Sequence, residues 1–263
     1  MLTIKNYVKA QSLDEAYELN QKKTSCVMGG MMWLRMTARN VQTMIDLCDL
    51  GLNTIEETDT EFSLGAMVTL RQLETHASLN AYTKGCVKNA VQDIVGVQFR
   101  NGATLGGSIY GRFGFSDVVT VFQAMDTYVE MYKGGIIPLA EFVKKPYDRD
   151  ILVRVIVKKQ PLAISYQAMR IQRTDFPVLT CAVSKVADEY RAAIGARPSV
   201  ATLIRDTEGI LAAGINDDSA EKFAASVAAA VKTDSNSRGS AEYRTHLTKV
   251  LTQRAALEIG GQL

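Results

Sequence analysis

The sequence predicts an α+β protein with a larger N-terminal domain, made of two small units, and a smaller C-terminal domain. Two observations predict this architecture. At 263 residues the chain is long enough to fold as two domains. Strand-like and helix-like segments alternate along it in three successive units, which we bound at 1–54, 55–148 and 149–263. The first two units form the predicted N-terminal domain, 1–148.

The first unit consists of a helix and two short apolar segments. Residues 12–15 (Ser-Leu-Asp-Glu) have the form of a capping box, with Ala16 and Leu19 following at helical spacing. A short strand over 26–28 then leads into a Gly-Gly pair. The apolar segment 41–47 is predicted to be another strand.

The second unit begins near Ile55. Residues 69–72 have the form of a second capping box, and the apolar spacing predicts helices over 88–96 and 118–125. The alternation over 127–132 predicts a strand, which ends at a Gly-Gly turn.

The third unit opens with 151–157, which is rich in β-branched residues and predicts a strand. Another strand is expected over 178–183. Helices are expected over 199–209, 219–232 and 241–257, the last with its apolar side chains on one face.

Two glycine pairs, Gly29-Gly30 after the first short strand and Gly106-Gly107, each open an apolar segment. Glycine lets a backbone turn tightly and approach a ligand closely, and exposed N–H groups at such turns bind phosphate oxygens. Two such turns suit a pyrophosphate held from both sides. The alternative is that each pair is only a turn at the end of a strand.

Composition excludes several classes of function. The net charge is +2 and there is no basic tail, so nucleic-acid binding is not indicated. The N-terminal residues contain no long apolar run, which predicts a cytoplasmic protein. The four cysteines (Cys26, Cys48, Cys86 and Cys181) are far apart, so we expect reduced thiols and no iron–sulfur cluster or zinc site in this chain. No catalytic triad is visible, so a cofactor is expected to carry any chemistry.

Six segments, in this order, resemble the FAD-binding subunit of the molybdenum hydroxylases, the xanthine dehydrogenase family. They are Val27-Met28-Gly29-Gly30, Leu64-Gly65-Ala66-Met67-Val68-Thr69, Arg100-Asn101 with Thr104-Leu105-Gly106-Gly107-Ser108-Ile109, Ser116-Asp117, Gly239-Ser240-Ala241-Glu242-Tyr243-Arg244 and Arg254-Ala255. The resemblance covers nearly the whole chain. It implies a two-subdomain FAD-binding domain of the vanillyl-alcohol-oxidase-like type and a smaller C-terminal α/β domain.

The resemblance also implies a set of cofactor-binding residues. They are Val27, Met28, Gly29, Gly30, Met31, Met32, Trp33, Thr104, Gly106, Gly107, Ser108, Ser116, Asp117, Ile151 and Leu152. Both glycine turns would hold the pyrophosphate and ribityl chain through backbone N–H groups. The loop 170–175 would approach the isoalloxazine ring.

Two of these assignments have structural alternatives. Asp117 would accept hydrogen bonds from FAD hydroxyl groups, but it also precedes an apolar helical run and suits a helix N-cap. Ile151 and Leu152 would lie beside the adenine or the flavin, or would only pack a strand.

The chain departs from the family pattern at three positions. Met31-Met32 stands where relatives carry Thr-Asp, and Ser108 stands where they carry Asn. Methionine offers no strong hydrogen bond, so weaker FAD retention or an altered flavin potential is expected.

The resemblance implies a place in an electron-transfer complex. A molybdenum-binding subunit with a molybdopterin cofactor would hydroxylate the substrate. A partner with two [2Fe-2S] clusters would pass the electrons to FAD in this chain, and NAD or another acceptor would take them. No separate NAD fingerprint is visible. The alternatives are a stand-alone flavin oxidoreductase and a non-redox assembly subunit with a decayed FAD site.

Overall fold

The computed structural model describes residues 1–262, which form three sheets with their helices. The first unit is a parallel sheet in the order β1-β3-β2. Its elements are β1 (Thr3–Lys9), α1 (Leu13–Asn20), β2 (Ser25–Met28) and β3 (Asn40–Asp46), with a 3-10 turn at Leu34–Met36. The predicted helix and two strands are confirmed. β1 was not predicted, because it is mostly exposed and polar.

The second unit is an antiparallel sheet in the order β4-β5-β8-β6-β7, covered by short helices. The strands are β4 (Ile55–Glu57), β5 (Glu61–Gly65), β6 (Thr127–Met131), β7 (Gly135–Pro138) and β8 (Leu152–Lys158). The helices are α2 (Leu70–Thr75), α3 (Ala77–Tyr82), α4 (Cys86–Val91), α5 (Val97–Gly102), α6 (Leu105–Tyr110), α7 (Asp117–Gln123) and α8 (Leu139–Phe142). The helix expected over 88–96 ends early, and Val95 there has a left-handed φ of 51°.

We expected strand β8 to open the third unit, and this expectation is wrong. The strand pairs with β5 on one side and β6 on the other, in the middle of the second sheet. Most of its residues are buried, as the β-branched run required, but burial alone did not indicate which sheet it joins. The domain division at residue 148 remains a prediction, and β8 lies on its C-terminal side.

The third unit is an antiparallel sheet in the order β12-β11-β10-β9, with two helices packed on it. Its elements are β9 (Leu162–Arg170), β10 (Pro177–Val186), β11 (Glu189–Gly195), β12 (Thr202–Arg205), α9 (Asp217–Ala230) and α10 (Ala241–Gly260). The expected helix at 199–209 is wrong. Leu203 and Ile204 instead pair with Ala193 and Ala192 as an edge strand, so tertiary pairing overrides local propensity.

The second and third units share one core. Ile164, Ala182 and Ala193 of the third unit belong to the same buried cluster as Phe122 of α7. Helix α7 of the second unit contacts β10 and β11 of the third, and this packing fixes the two units relative to each other. Within residues 1–262, no helix is long and apolar enough to cross a membrane.

Candidate functional site

A cleft of about 640 Å³ lies where the three units meet. Strand β2 and the first glycine turn form one wall. The start of α6, the segment 113–118, the segment 147–152 and the loop 170–177 form the rest. Every residue that the resemblance assigned to FAD lines it: Val27, Met28, Gly29, Gly30, Met31, Met32, Trp33, Thr104, Gly106, Gly107, Ser108, Ser116, Asp117, Ile151 and Leu152.

The two glycine turns pack directly against each other. A Cβ added to Gly30 would lie 1.5 Å from the Gly102 carbonyl oxygen, and one on Gly29 would lie 2.7 Å from the Thr104 hydroxyl. A Cβ on Gly106 would meet the Ala66 carbonyl oxygen at 2.6 Å. Gly30 and Gly106 are therefore required by contacts with other backbone segments of the protein, and Gly29 by its contact with the Thr104 side chain.

Gly107 is different. A Cβ added there would meet only the Thr104 hydroxyl, at 3.1 Å. Gly107 also lines the cleft. It is the glycine of the four whose missing side chain leaves space for a ligand.

The first turn carries the free backbone donors. Within residues 1–262, the N–H groups of residues 29–33 donate to no backbone carbonyl. Met31 has a left-handed φ of 58°, whereas Trp33 is in the right-handed α region. Turns that combine left-handed and right-handed residues are the backbone pattern in which N–H groups converge on an anion. This turn therefore suits a phosphate.

The second turn does not offer N–H groups in the same way, which corrects the expectation that both turns do so. The amides of Leu105 and Gly106 donate to the carbonyls of Val68 and Ala66, each at 2.8 Å. The amide of Gly107 donates to the Thr104 hydroxyl at 3.2 Å, and that of Ser108 to the Thr104 carbonyl. Helix α6 begins here, and its first amides are already satisfied by the protein.

One end of the cleft is aromatic. Trp33 contacts three phenylalanines with ring centroids 5.2 to 5.4 Å away: Phe99, Phe115 and Phe176. Arg170 and Asp175 line the cleft at this end, as expected for the loop 170–175. These phenylalanines are not among the residues predicted from the sequence. Phe115 directly precedes Ser116-Asp117, which was the available signal.

Asp117 lies buried at the junction of the second and third units. Its Oδ1 accepts hydrogen bonds from the Tyr166 hydroxyl and from Arg170, both on β9. Burial raises the pKa of Asp117 to about 6, against the opposing effect of the Arg170 guanidinium and the Tyr166 hydroxyl. Both of these hydrogen bonds fall on Oδ1.

The alternative role of Asp117 as a helix N-cap is wrong by one residue. Ser116 is the N-cap of α7, because its hydroxyl accepts from the Val119 amide at 3.1 Å. Asp117 is the first helical residue.

The other end of the cleft lies at the start of β2. The Ser25 hydroxyl there is buried and, within residues 1–262, has no hydrogen-bond partner. Ile151 and Leu152 line this end and are buried, Ile151 in the core of the first unit and Leu152 in that of the second. Asn20, Cys26 and the exposed Arg39 also line the cleft.

These features fit a dinucleotide cofactor. The cleft has an anion-binding turn between its two ends, an aromatic end, and a buried hydroxyl that needs a partner at the other end. Met31 and Met32, which replace the family's Thr-Asp, both line the cleft, and the Met32 sulfur packs toward Gly102 on the opposite turn. The cysteines are free: Cys86 and Cys181 are buried, Cys26 is half-buried and Cys48 is exposed. In the described part of the chain, no three His, Cys, Asp or Glu side chains converge on a metal site.

Two family models match the chain. Residues 2–159 match the FAD binding domain in molybdopterin dehydrogenase, and residues 164–259 match the CO dehydrogenase flavoprotein C-terminal domain. The glyceraldehyde dehydrogenase medium chain of Sulfolobus acidocaldarius is 22% identical and aligns over 97% of this chain and 98% of its own. The nicotine 6-hydroxylase medium subunit of Paenarthrobacter nicotinovorans is 24% identical, over 97% of both chains.

Solved structures share the fold. A chain of CO dehydrogenase from Oligotropha carboxidovorans superposes with a TM-score of 0.87 at 18% identity, covering 99% of both chains. A chain of quinoline 2-oxidoreductase from Pseudomonas putida 86 superposes with a TM-score of 0.85 at 18% identity, covering 98% of this chain and 97% of the other.

Proposed function

Because the chain belongs to the family of FAD-binding subunits of molybdopterin dehydrogenases, we propose that it is the electron-transfer subunit of a molybdenum hydroxylase complex. It receives electrons from the [2Fe-2S] clusters of one partner and passes them through FAD to an acceptor, for which NAD is our first candidate. A second partner carries the molybdopterin cofactor and hydroxylates the substrate. The medium-chain relatives support this division of labour. A cytoplasmic location remains a prediction of the sequence.

FAD supplies the redox chemistry when bound, since a flavin can take electrons singly and deliver a hydride. The chain supplies the binding groups. We propose that the N–H groups of residues 29–33 hold the pyrophosphate, with the open face of Gly107 opposite. Asp117 Oδ2 accepts from a hydroxyl of the ribityl chain. The aromatic end, with Trp33, takes the isoalloxazine ring.

This orientation puts the AMP half of FAD at the start of β2. Ser25 lies four positions before Gly29, about 13 Å along a strand, so the two residues can contact opposite ends of the AMP half. Of the two positions proposed for Ile151 and Leu152, the adenine side is therefore favoured. The buried Ser25 hydroxyl gains a hydrogen-bond partner there.

The observation that carries the proposal is the meeting of the two glycine turns inside one cleft lined by every assigned residue. The test is an absorption spectrum of the protein purified from its own host, with the copurifying chains identified by mass spectrometry. We expect flavin bands, molybdenum and iron–sulfur partners, and NADH formation when the complex turns over.

The other outcomes are distinct. Flavin without partner chains indicates a stand-alone flavoenzyme. A colourless chain that takes up no added FAD indicates an assembly subunit with a decayed site. A complex that reduces a quinone or dye but not NAD keeps the electron-transfer role and excludes NAD.

A further inference from the structure

The segment 145–150, which we call the strap, runs along the cleft and is fixed to the second unit. The Tyr147 hydroxyl donates to the Gly111 carbonyl at 2.6 Å, and the Tyr110 hydroxyl donates to the Asp148 carbonyl at 2.7 Å. Tyr110 and Gly111 lie at the end of α6, the helix that follows the second glycine pair. The strap is therefore fixed relative to that turn.

Both ends of the strap have further anchors in the second unit. Arg112 donates to the Lys145 carbonyl at 2.5 Å, and its guanidinium lies 4.1 Å from the Phe142 ring centroid. At the other end, the Asp150 carboxylate accepts from the Gly134 amide at 2.7 Å. These contacts leave the strap little freedom to move.

Arg149 joins the strap to the first unit. Its Nη1 donates to the carbonyls of Asn20 and Lys22, each at 2.9 Å, and its Nη2 donates to that of Lys23 at 3.1 Å. In return, the side-chain amides of Asn20 and Gln21 donate to the Arg149 carbonyl at 2.8 and 3.0 Å. These carbonyls lie at the C-terminal end of α1, which has no basic residue in its own last turn. A guanidinium donates hydrogen bonds to such carbonyls and interacts favourably with the negative end of the helix dipole.

The contact matters because β2 is a short edge strand. Among the described residues, 1–262, it pairs with β3 alone, and its four residues line the cleft. The packing of Gly30 on Gly102 fixes its C-terminal end. The residues that Arg149 holds lead directly into Ser25, so Arg149 fixes the N-terminal end.

We propose that Arg149 is a positioning residue that holds the start of β2 in place for the AMP half of FAD. Arg149 also lines the cleft, but all of its side-chain hydrogen bonds go to the α1–β2 connection, so it acts by holding that connection. Faster hydrogen exchange of residues 20–28 without ligand separates this role from a direct contact with the cofactor. The inference rests on the FAD binding and the cofactor orientation proposed above. Its consequence is specific: loss of Arg149 weakens the binding of ligands that contain AMP or ADP and leaves the flavin end unaffected.

The test uses the full chain and the variants Arg149→Lys and Arg149→Ala, with Lys22→Gln as the matched control. Lysine keeps the charge but lacks the planar fork that reaches three carbonyls. Lys22→Gln removes a positive charge from the same connection and keeps the backbone carbonyl that Arg149 binds. Dissociation constants for FAD, FMN and ADP are measured by calorimetry or fluorescence. Hydrogen exchange of residues 20–28 is followed without ligand.

We expect Arg149→Lys to weaken FAD and ADP about tenfold, a loss equivalent to one good hydrogen bond to a charged group. FMN affinity stays unchanged, exchange in residues 20–28 becomes faster, and Lys22→Gln changes affinities less than about twofold. If Arg149→Ala does not fold, Arg149→Lys decides the test.

Three results would overturn the inference: unchanged FAD and ADP affinity, an equal loss of FMN affinity, or an equal loss in Lys22→Gln. An equal loss of FMN would mean a general structural role, and an equal loss in the control would mean that charge alone acts. Wild-type protein that binds neither FAD, FMN nor ADP would overturn the proposed function as well.

Discussion

Gly30 and the Gly102 carbonyl oxygen are in contact, so close that a Cβ on Gly30 would overlap that oxygen at 1.5 Å. The contact joins two glycine turns that lie more than seventy residues apart in sequence. Each turn thus forms part of the other's packing surface, and the cleft opens beside their junction at Gly107.

Gly30 and Gly107 should respond differently to the same substitution. Gly30→Ala forces the two turns apart and should destabilise the fold by about 3 kcal/mol or more.

Gly107→Ala lies within α6, where alanine is favoured over glycine, and should leave thermal stability unchanged or raised. Because its methyl group, and still more that of Gly107→Val, enters the cleft, FAD binding should be lost. Thermal unfolding and FAD titration check both. A folded Gly107→Val variant that retains FAD fully would show that the phosphate site is assigned wrongly.

The glycine turns were readable from the sequence because a tight turn and a close backbone approach require glycine. Ser116-Asp117 was readable because a helix N-terminus favours such side chains. The pattern could not show which glycines face the protein and which face the cleft. That distinction depends on Ala66 and Gly102, which approach only in the folded chain. In the same way, the motif arginine Arg244 proves to be buried, donating to the carbonyls of Val178 and Gly239 rather than to a ligand.

The secondary structure was predicted best where local signals were strong. The capping box at Thr69 is formed as predicted, and the last helix begins at Ala241 as expected. Three strands of the third unit were missed. β9 and β11 were not predicted, and β12 was predicted as a helix, because strand preference depends on the neighbours that a segment packs against in the sheet, which are β10 for β9 and β11, and β11 for β12.

Asp117→Asn should remove the contribution that titration of Asp117 makes to the pH dependence of the free energy of unfolding. The pKa of Asp117 is raised to about 6 by burial, above its value of about 3.9 in an unfolded chain. Between these values the folded state binds more protons than the unfolded state, so this contribution to stability falls as the pH rises from about 4 to about 6. Asparagine does not titrate.

The measurement is the free energy of unfolding in urea for both proteins across that range. The difference, wild type minus variant, should decrease with rising pH and level off above about pH 7. Carboxylates whose pKa is lowered by a cationic partner, such as Glu57 and Glu74, have the opposite dependence, but they are common to both proteins and cancel. A difference that stays constant or increases with pH would contradict the assignment.

Trp33 should report occupation of the aromatic end. It is the single tryptophan of the chain and lines the cleft. FAD and FMN should both quench its fluorescence, since each carries an isoalloxazine ring, whereas ADP should bind without comparable quenching. Trp33→Phe keeps an aromatic ring and removes the signal, which gives the control. Strong quenching by ADP alone would reverse the proposed orientation.

Glu74 should be important for stability and not for FAD binding. It forms a bidentate pair with buried Arg100, with Nε to Oε2 at 2.7 Å and Nη2 to Oε1 at 3.2 Å. Neither residue lines the cleft. Glu74→Gln leaves the Arg100 charge buried without a counterion and should cost about 3 kcal/mol. Arg71→Gln removes the exposed partner of the same carboxylate and should cost less than about 1 kcal/mol. Urea unfolding measures both costs, and equal costs would contradict the pairing argument.

Met31→Gly should stabilise the apo protein. Met31 is held at a left-handed φ of 58°, which costs a residue with a side chain about 1 kcal/mol relative to glycine. Its neighbour Met32 is the control, because it has no positive φ and its sulfur packs toward Gly102. Met32→Gly should therefore lower stability by roughly 1 kcal/mol or more.

If Met31 is strained in order to orient the amides of the first turn, Met31→Gly keeps the conformation accessible and FAD affinity changes little. Met31→Val, whose branched Cβ disfavours this φ, should weaken FAD binding. A Met31→Gly variant that is less stable than wild type would show that side-chain packing outweighs the backbone strain.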